Sequence, residues 1–441
     1  MTHTAEFSPT GLIRGALSSR SDQALSALES RTAHSWMMAL DRAKVLPETA
    51  AAAPNAAAVR LFVKASAGAR ITDVDGTSFI DVGLGDGALV LGHAHPAVQQ
   101  AIVAQSMRGW HFDLPADGQL ELARLIQTAG AANERVALCN SSDDAVAYAI
   151  GAARAFTGKC LIATFTGLHG NSIPGADDTT ATAHLTVLPY GHPAALDQIR
   201  RRHHELAAVI VEPVRGGDPN LDRAAWLHSL IATCREAGVA VILDERQTGF
   251  RLAYGGAQEL LGLLPDLVIY GKTVGGGLPL GAVAGRADVM ASTQDHKKTE
   301  SPPPALANPL SVTAGTAALG HLHARRATLY PALNEAGRTL AEQFNAFAQA
   351  HHMPVEMRCA GSIFRIVFAS TVKAPEWAAT FRAAEAAFNV LVLNRGVLML
   401  TSQRGFLSTA HTGADLDNVL KALTESLRDV RDDGLFTQRG A

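Results

Sequence analysis

Polar residues that could do chemistry stand directly after short apolar segments in the middle of the chain. Lys272 follows "DLVIYG", and Asp244 and Glu245 end the segment "AVILDE". Glu212 comes directly after "LAAVIV", and Asn140 follows "RVALC". An amine can form a Schiff base with an aldehyde cofactor, and a buried carboxylate can keep the nitrogen of a pyridine ring protonated. Lys272 and a neighbouring acid are therefore a candidate catalytic pair.

The segments that carry these residues read as strands of one sheet. Between residues 135 and 285, seven short runs rich in β-branched residues alternate with helical stretches. Strands that are apolar on both faces are typical of a mostly parallel sheet with helices on either side. Ligands of such sheets bind at the carboxyl ends of the strands, where we expect the polar residues to meet. Taken alone, each motif also fits a plainer role, since strand-end lysines are often solvated and Asp-Glu pairs often cap helices.

Changes in composition along the chain predict four segments. Residues 1–60 are polar or alanine-rich and predict an N-terminal helical arm and linker. Residues 61–110 begin with two alternating runs around Asp75-Gly76, which predict a β-meander that joins the domains. Residues 111–320 contain the apolar runs and predict a large cofactor-binding domain. Helical patterns around short strands in residues 321–441 predict a small C-terminal α+β domain.

The overall composition favours a small-molecule ligand. The chain has 441 residues, a formal net charge of -3 and 47% hydrophobic residues, without the basic field that binds nucleic acid or anionic membranes. The N-terminal stretch "MTHTAEFSPTGLIRGALSSRSDQ" does not resemble a secretion signal, and no apolar run approaches the roughly 20 residues that span a bilayer. We therefore expect a cytoplasmic protein. Its cysteines lack C-x-x-C spacing: Cys139, Cys160, Cys234 and Cys359.

Other glycine and histidine motifs fail closer tests. The run "GLGDGALVLG" lacks the third glycine of G-x-G-x-x-G, and in "GKTVGGG" the lysine precedes the glycines, opposite to a phosphate-binding P-loop. The histidine pairs lack carboxylate or cysteine neighbours at metal-ligand spacing, so we expect no metal site.

Longer motifs give the sequence a family context. They include "ITDVDGTSFIDV", "LGHAHPAV", "NSSDDAVAYAIGAARAFTGK", "ILDERQTGFR", "YGKTVGGGLPLGAVAGRADVM" and "GFLSTAHTGADLD". Over nearly its whole length the chain resembles the class III aminotransferases, especially the branch with glutamate-1-semialdehyde aminomutase and some β-amino-acid aminotransferases. This resemblance implies a homodimer with the fold-type I α/β architecture, a mostly parallel seven-stranded sheet with helices on both faces and a smaller α+β domain. It also implies pyridoxal 5'-phosphate (PLP) as cofactor.

The resemblance assigns roles to individual residues. Lys272 would form the Schiff base with PLP and shuttle the proton, and Asp244 would be the partner of the pyridinium nitrogen. Glu212 would be a nearby active-site carboxylate. Further cofactor-binding positions would be Ser141, Ser142, Asp143, Leu168, His169 and Arg246.

Several of these positions depart from the family pattern. Ser142 and Asp143 replace the glycine and the threonine or serine that cradle the cofactor phosphate at a helix N-terminus. Leu168 stands where an aromatic residue stacks on the ring, Arg246 where a valine packs on its other face, and Pro304 where a threonine reaches the phosphate. Loss of the stacked aromatic and loss of the hydroxyl–phosphate hydrogen bond would each weaken cofactor binding by roughly 1 kcal/mol or more.

Two hypotheses on function follow from these matches and departures. The first is a PLP-dependent aminotransferase or aminomutase that acts on a small amino acid or amine, with an amino donor and a carbonyl acceptor as substrates. The second is a divergent aminotransferase fold whose changed site performs a different PLP reaction or a non-PLP function. Arg246 could lie against the ring, reach the phosphate or the substrate, turn to solvent, or pair with Asp143 or Asp218.

Arg404 is a candidate substrate-binding residue together with Arg246. It lies in "LTSQRGFLSTAHT", where related β-amino-acid aminotransferases carry a similar arginine-glycine-phenylalanine run. A guanidinium at this position could grip a substrate carboxylate with two hydrogen bonds. The alternative is that Arg404 is a surface residue of a loop.

Overall fold

The computed structural model describes residues 19–35, 38, 61–112, 114–167, 184–294, 307–368, 375–399 and 403–436. The predictions that concern Leu168, His169 and Pro304 lie outside these described residues. The chain divides into two compact units. Unit 1 comprises Met1–Leu84, Ala336–Cys359 and Ile363–Ala441, and unit 2 comprises Gly85–Glu335 and Ala360–Ser362. The predicted domain boundaries at residues 60, 110 and 320 stay a prediction.

The strands of both units are short. Within the described residues they are β1 (Val63–Ala67), β2 (Arg70–Asp73), β3 (Ser78–Asp81), β4 (Arg135–Cys139), β5 (Leu161–Phe165), β6 (Leu185–Leu188), β7 (Leu206–Val211), β8 (Ala240–Asp244), β9 (Leu267–Tyr270), β10 (Gly281–Gly285), β11 (Val355–Ala360), β12 (Ile363–Phe368), β13 (Val397–Leu398) and β14 (Arg404–Phe406).

The helices vary more in length. Within the same described ranges they are α1 (Ser19–Arg31), α2 (Pro96–Ser106), α3 (Gly118–Gln127), α4 (Ser142–Thr157), α5 (Pro193–Arg202), α6 (Ala224–Ala237), α7 (Gly256–Leu261), α8 (Ala287–Ala291), α9 (Pro309–Ala350), α10 (Pro375–Asn394) and α11 (Gly413–Asp432). None of the helices in the described ranges combines the length and the apolar character that a membrane span requires.

The main sheet of unit 2 has seven strands in the order β4-β10-β9-β8-β7-β5-β6. β6, β5, β7, β8 and β9 run parallel to one another, and β10 is antiparallel to β9 and to β4. Every residue of β5, β7, β8, β9 and β10 is buried, as expected for apolar strands that are covered on both faces. The predicted mostly parallel seven-stranded sheet is confirmed.

Local sequence signals set both ends of helix α4. The Ser141 hydroxyl accepts a hydrogen bond from the Asp144 N–H at 3.0 Å, which caps the N-terminus. The helix ends at Gly158, whose φ of 69° lies in the left-handed region that favours glycine. Between these ends, alanine and small apolar residues bury one face against the sheet. The N-terminus of α4 is thereby fixed directly after strand β4.

Unit 1 contains two smaller sheets, with the strand orders β1-β2-β3-β13 and β11-β12-β14. The predicted turn at Asp75-Gly76 connects β2 to β3, and Gly76 has a φ of 85°. Helix α11 begins with a capping box in which Thr412 and Asp415 exchange hydrogen bonds with each other's backbone N–H groups. The combination of short sheets and helices agrees with the predicted smaller α+β architecture.

Candidate active site

The carboxyl ends of β7, β8 and β9 carry the predicted acids and the lysine. Glu212 directly follows β7, Asp244 is the last residue of β8, and Lys272 comes two residues after β9. The three strands are adjacent and parallel, and Asp244 pairs in register with Ile269 of β9. The order of the strands therefore brings Glu212, Asp244 and Lys272 to one edge of the sheet.

The backbone around Lys272 makes a sharp turn. Lys272 itself has a φ of 50°, and the glycines that follow a short 3-10 helix, Gly276 and Gly277, have φ values of 60° and 101°. The residue before the lysine is equally constrained, because a Cβ at Gly271 would collide with the Ser142 hydroxyl. The glycines of this motif thus permit the close turn that the sequence predicted.

Asp244 and Arg246 form a close ion pair. Arg246 Nε lies 2.9 Å from Asp244 Oδ1 and 3.1 Å from Oδ2, and Arg246 Nη2 lies 2.7 Å from Oδ2. The backbone N–H of Arg246 adds a fourth hydrogen bond, at 3.1 Å from Oδ1. The Asp244 side chain is only 3% exposed. Both oxygens of the predicted pyridinium partner are therefore engaged by one arginine.

The charge of Arg246 is stabilised by several acids. Burial opposes the charge, but the hydrogen bonds and the charge of Asp244, together with the charges of Glu212 and Asp143, raise the pKa of Arg246 above its ordinary value. Arg246 Nη1 lies 3.6 Å from Asp143 Oδ1. Of the two acids that the sequence offered as partners of Arg246, Asp143 makes only a secondary contact. The main partner of Arg246 is Asp244, which the sequence did not predict. Asp218 instead pairs with Arg215 at 3.1 Å.

The N-terminus of α4 lies against the same turn. The Ser142 hydroxyl is close to the backbone of Gly271, as is the Arg246 side chain, whose Cγ would lie 3.3 Å from a Cβ at Gly271. A helix N-terminus presents backbone N–H groups and a partial positive charge, which suit an anion such as a phosphate. Asp143 stands in this first turn with an exposed side chain. The structure thus brings Ser141, Ser142, Asp143 and Arg246 together with Lys272.

A carboxylate that sequence reasoning missed contacts the lysine. Lys272 Nζ forms an ion pair with Asp86 Oδ2 and also donates to the Asp86 carbonyl oxygen at 3.0 Å. Asp86 lies in "GLGDG", which the sequence analysis tested only as a nucleotide-binding motif. The available signal was an acid flanked by two glycines, a pattern typical of left-handed turns.

The turn around Asp86 is built from residues with positive φ. Gly85, Asp86 and Gly87 have φ values of 61°, 55° and 84°. The buried guanidinium of Arg251 supports it by donating to the Gly87 carbonyl oxygen from Nε at 3.0 Å and from Nη2 at 2.6 Å. Burial lowers the pKa of Arg251 to about 9, and the charge of Asp86 acts in the opposite direction. Arg251 therefore remains a cation at neutral pH.

Arg404 belongs to unit 1. It pairs with Arg365 across strands β14 and β12, and its side chain lies over the Phe406 ring at 5.7 Å. Only 4% of Arg404 is exposed, so the alternative of a surface residue in a loop is wrong. An arginine is rarely buried without a specific function or partner. Its role toward a substrate stays a prediction.

These groups fit PLP, the cofactor expected from the family resemblance. The chemistry of the donor set matches its three parts: the Lys272 amine for the aldehyde, the buried Asp244 carboxylate for the pyridine nitrogen, and the N-terminus of α4 for the phosphate. The close approach of Ser142 to the Gly271 backbone brings the phosphate and aldehyde positions near one another. Because Arg246 contacts both Asp244 oxygens, Asp244 would hold the ring nitrogen in place of part of its contact with Arg246.

Comparison with known proteins supports this assignment. A glutamate-1-semialdehyde 2,1-aminomutase from Syntrophus aciditrophicus (strain SB) is 35% identical over 391 residues, which cover 83% of this chain and 90% of the relative. The solved structure of a β-phenylalanine aminotransferase from Variovorax paradoxus is similar to this chain with a TM-score of 0.80 and 27% identity, over 93% of this chain and 98% of that one.

Two further findings extend the agreement. An omega-transaminase structure from Sphaerobacter thermophilus has a TM-score of 0.77 and 27% identity, over 91% of this chain and 98% of that one. The family description "Aminotransferase class-III" matches residues 51–430, a range that includes every strand of the described residues and the site around Lys272. The protein is therefore a member of the class III aminotransferases, a family of PLP-dependent enzymes.

Proposed function

We propose that the protein moves an amino group between a small amino acid or amine and a carbonyl compound, or between two positions of one molecule, with PLP attached to Lys272. The observation that carries the proposal is the placement of Lys272 and Asp244 at the ends of adjacent parallel strands. The aminomutase and aminotransferase names of the relatives support both versions of the reaction.

Each residue has a distinct part in this proposal. Lys272 Nζ holds the cofactor and, once released, moves the proton at the substrate carbon that bears nitrogen. Asp244 holds the ring nitrogen, and the first turn of α4 orients the phosphate. When bound, PLP supplies the electron sink for the negative charge that develops on the substrate. Burial of Asp244 keeps water away from its carboxylate and strengthens its contacts.

Borohydride trapping tests the attachment site. The purified protein is incubated with PLP, reduced and digested, and the peptides are analysed by mass spectrometry. We expect the pyridoxyl mass on the Lys272 peptide and its absence in Lys272→Ala. Lys64, which lies in β1 of unit 1, provides a matched control variant, Lys64→Ala, that should keep the label. A label on another lysine, or none at saturating PLP, would refute the proposal.

A half-reaction tests the chemistry separately. Small amino acids and amines are added one at a time to the PLP-loaded protein, and the absorbance change from PLP to pyridoxamine phosphate is followed. A donor that converts the cofactor supports amino-group transfer. If Lys272 is labelled but no donor converts the cofactor, the protein binds PLP without the proposed reaction.

We propose further that Arg404 reads the carboxylate of the amino donor. The burial of its guanidinium in β14 supports a specific role. Arg404→Lys should raise the KM for a carboxylated donor about tenfold or more while leaving a simple amine donor nearly unchanged, because lysine cannot copy the bidentate contact. Equal effects on both donors would mean that Arg404 acts on the fold or the cofactor site.

A homodimer is the assembly that we propose. Large apolar side chains are exposed in and after α2, with Met107 at 85% exposure. The others in this stretch are Val103, Trp110, Leu114 and Leu120. A cavity of about 340 Å³ lies nearby, lined by residues 88–95 and by Thr273, Gly276 and Gly277 from the turn after Lys272. So many exposed large apolar side chains in one short stretch of the chain suit an interface, and a second copy of the chain would cover them.

Light scattering tests the dimer. We expect about twice the chain mass of 46.3 kDa. The double substitution Met107→Glu with Leu114→Glu should shift the protein toward monomer, because it places charges at two of these exposed apolar positions. A monomer of the unmodified chain with full PLP binding would contradict the proposal.

A cytoplasmic location is also proposed. All four cysteines, which lie within the described residues, are free thiols. Free thiols suit a reducing compartment. Cell fractionation with an antibody to the untagged protein would test this location.

A further inference from the structure

The carboxylate of Asp86 stands between Lys272 and its proposed reaction with PLP. Lys272 Nζ donates to the Asp86 carbonyl oxygen at 3.0 Å and also forms an ion pair with the carboxylate. An amine attacks an aldehyde only in its neutral form, whereas a nearby carboxylate stabilises the ammonium form. The two contacts therefore act against the nucleophile that the proposed function requires.

The turn holds Asp86 at this position independently of the lysine. Gly85 and Gly87 flank it with positive φ values, and aspartate is among the few residue types that tolerate this region. The buried Arg251 anchors the Gly87 carbonyl oxygen with two hydrogen bonds. The Asp86 carboxylate is thus presented to Lys272 by a supported backbone and not by a flexible loop tip.

The remaining charges around the pair do not replace Asp86. Among the described residues, they include the arginine that supports the turn and the ionised groups at and around the end of β8: Arg251, Asp244, Arg246, Asp143 and Glu212. Arg251 and Arg246 are cations that disfavour a charge on Lys272, and Asp244 is matched by Arg246. Within the described part of the chain, Asp86 is an acid in direct contact with the amine.

We propose that Asp86 is a positioning residue for Lys272. The Asp86 carboxylate keeps the Lys272 amine charged and in contact with the turn at residues 85–87 until the ion pair opens for the cofactor. This inference rests on the proposed function for its biological meaning, but the ion pair can be tested without PLP. In the cofactor-free protein, Asp86 sets the pH at which Lys272 becomes a nucleophile. With cofactor present, opening of the pair limits the rate of attachment.

Competitive labelling of the cofactor-free protein measures this effect. The full-length chain is treated with trace acetic anhydride across pH 6 to 11, and acetylation of the Lys272 peptide is quantified by mass spectrometry. Asp86→Asn keeps the size, the tolerance of positive φ and a carbonyl acceptor, and removes only the charge. We expect the midpoint of Lys272 acetylation to fall by about one pH unit or more in this variant, since an opposite charge in contact shifts an amine by that amount.

Two further variants make the result decisive. Asp86→Gly, which suits the left-handed turn equally well, should shift the midpoint in the same direction. Asp288→Asn removes an exposed acid that pairs with Arg286 and should leave the midpoint unchanged. An unchanged midpoint in both Asp86 variants would overturn the proposal, and so would an equal shift in Asp288→Asn.

PLP attachment separates this proposal from the proposed function. At pH 7.5, Asp86→Asn should attach PLP to Lys272 up to about tenfold faster, because one pH unit changes the neutral fraction of the amine about tenfold. Attachment that is no faster despite a lowered midpoint would overturn the limiting role of the ion pair. A lowered midpoint with no PLP label on Lys272 would support Asp86 as the counter-ion and refute the proposed function.

Discussion

Asp244 and Glu245 are neighbours in the chain but belong to two differently built networks. The Glu245 network comprises Glu245, Thr248, Gln258, Tyr270 and Asn133, and all five residues are buried. Glu245 accepts hydrogen bonds from the Ala257 N–H at 2.9 Å and the Gln258 N–H at 2.6 Å, and from the Thr248 hydroxyl. The Tyr270 hydroxyl accepts from Asn133 at 3.0 Å and from Gln258 at 2.6 Å.

The Lys272 site, formed by Lys272, Asp86, Asp244, Arg246 and Asp143, is built instead from ion pairs. Its side chains range from buried Asp244 to Lys272, Asp86 and Asp143 at 26%, 43% and 74% exposure. Hydrogen bonds among buried neutral groups fix a structure, whereas partly exposed ion pairs can open and exchange partners. We therefore expect substitutions in the Glu245 network to change stability alone, and substitutions in the Lys272 site to change cofactor binding as well.

Among the variants that test this division, Arg246→Val should have the largest effect. Removal of the guanidinium leaves the buried Asp244 charge without its cation, which should lower the free energy of unfolding of the cofactor-free protein by about 3 kcal/mol. PLP binding should tighten about tenfold or more, because the ring nitrogen no longer competes with an arginine for Asp244. Denaturant unfolding without PLP and an absorbance titration with PLP measure the two effects.

Arg246→Lys is the matched control. It keeps the charge but loses the planar fork that contacts both Asp244 oxygens, so we expect intermediate changes in stability and affinity. Weaker PLP binding in Arg246→Val than in the unmodified protein would contradict the competition and would mean that Arg246 itself contacts the cofactor.

Glu245→Gln tests the other network through the pH dependence of stability. Burial raises the pKa of Glu245 to about 7, against the hydrogen bonds that it accepts. The unfolded chain ionises this group at lower pH, so its contribution to stability is complete below about pH 4.5 and is lost as pH rises to about 7. The loss amounts to ~3 kcal/mol.

The difference in the free energy of unfolding between the unmodified protein and Glu245→Gln isolates the contribution of Glu245. His95, His321 and His411, whose pKa values are lowered mainly by burial, change stability in the opposite direction over part of this range but are common to both proteins. Glu245→Gln should be less stable at pH 5, and its deficit should shrink toward pH 8. A constant deficit from pH 4 to pH 8 would show that Glu245 keeps one protonation state.

Tyr270→Phe is expected to act on stability alone. Loss of the hydroxyl leaves the buried Asn133 and Gln258 amides without this acceptor, which should lower the free energy of unfolding by about 2 kcal/mol. PLP affinity should change less than about threefold, since the Tyr270 hydroxyl contacts no residue of the Lys272 site. The control is Tyr148→Phe, whose partly buried hydroxyl contacts Thr293 at 2.9 Å and should cost less. A large loss of PLP affinity in Tyr270→Phe would break the division between the networks.

The sequence predicted the parts of this arrangement that depend on local patterns. Apolar runs predicted the buried strands of the seven-stranded sheet. Because parallel strands end at one sheet edge, the meeting of Glu212, Asp244 and Lys272 could be predicted as well.

The pairing of charges could not be predicted in the same way. Asp86 and Lys272 are 186 residues apart, and no periodic pattern reports how a left-handed turn is oriented toward a distant strand end. Arg246 had several acids within reach of its long side chain, and the choice of Asp244 depends on the geometry after β8. The partners of these long, flexible charged side chains could therefore be identified only from the three-dimensional structure.

Asp143 should give the smallest effect, because its side chain is 74% exposed and its oxygen lies 3.6 Å from Arg246. Asp143→Thr removes a negative charge from the helix N-terminus where the PLP phosphate is expected, so PLP binding should tighten a few-fold at low salt and less at high salt. Asp144→Asn is the matched control, an exposed acid in the same helical turn. Equal tightening in both variants would indicate a general charge effect at the helix terminus. Weaker binding in Asp143→Thr alone would mean that Asp143 contributes to the site by holding Arg246.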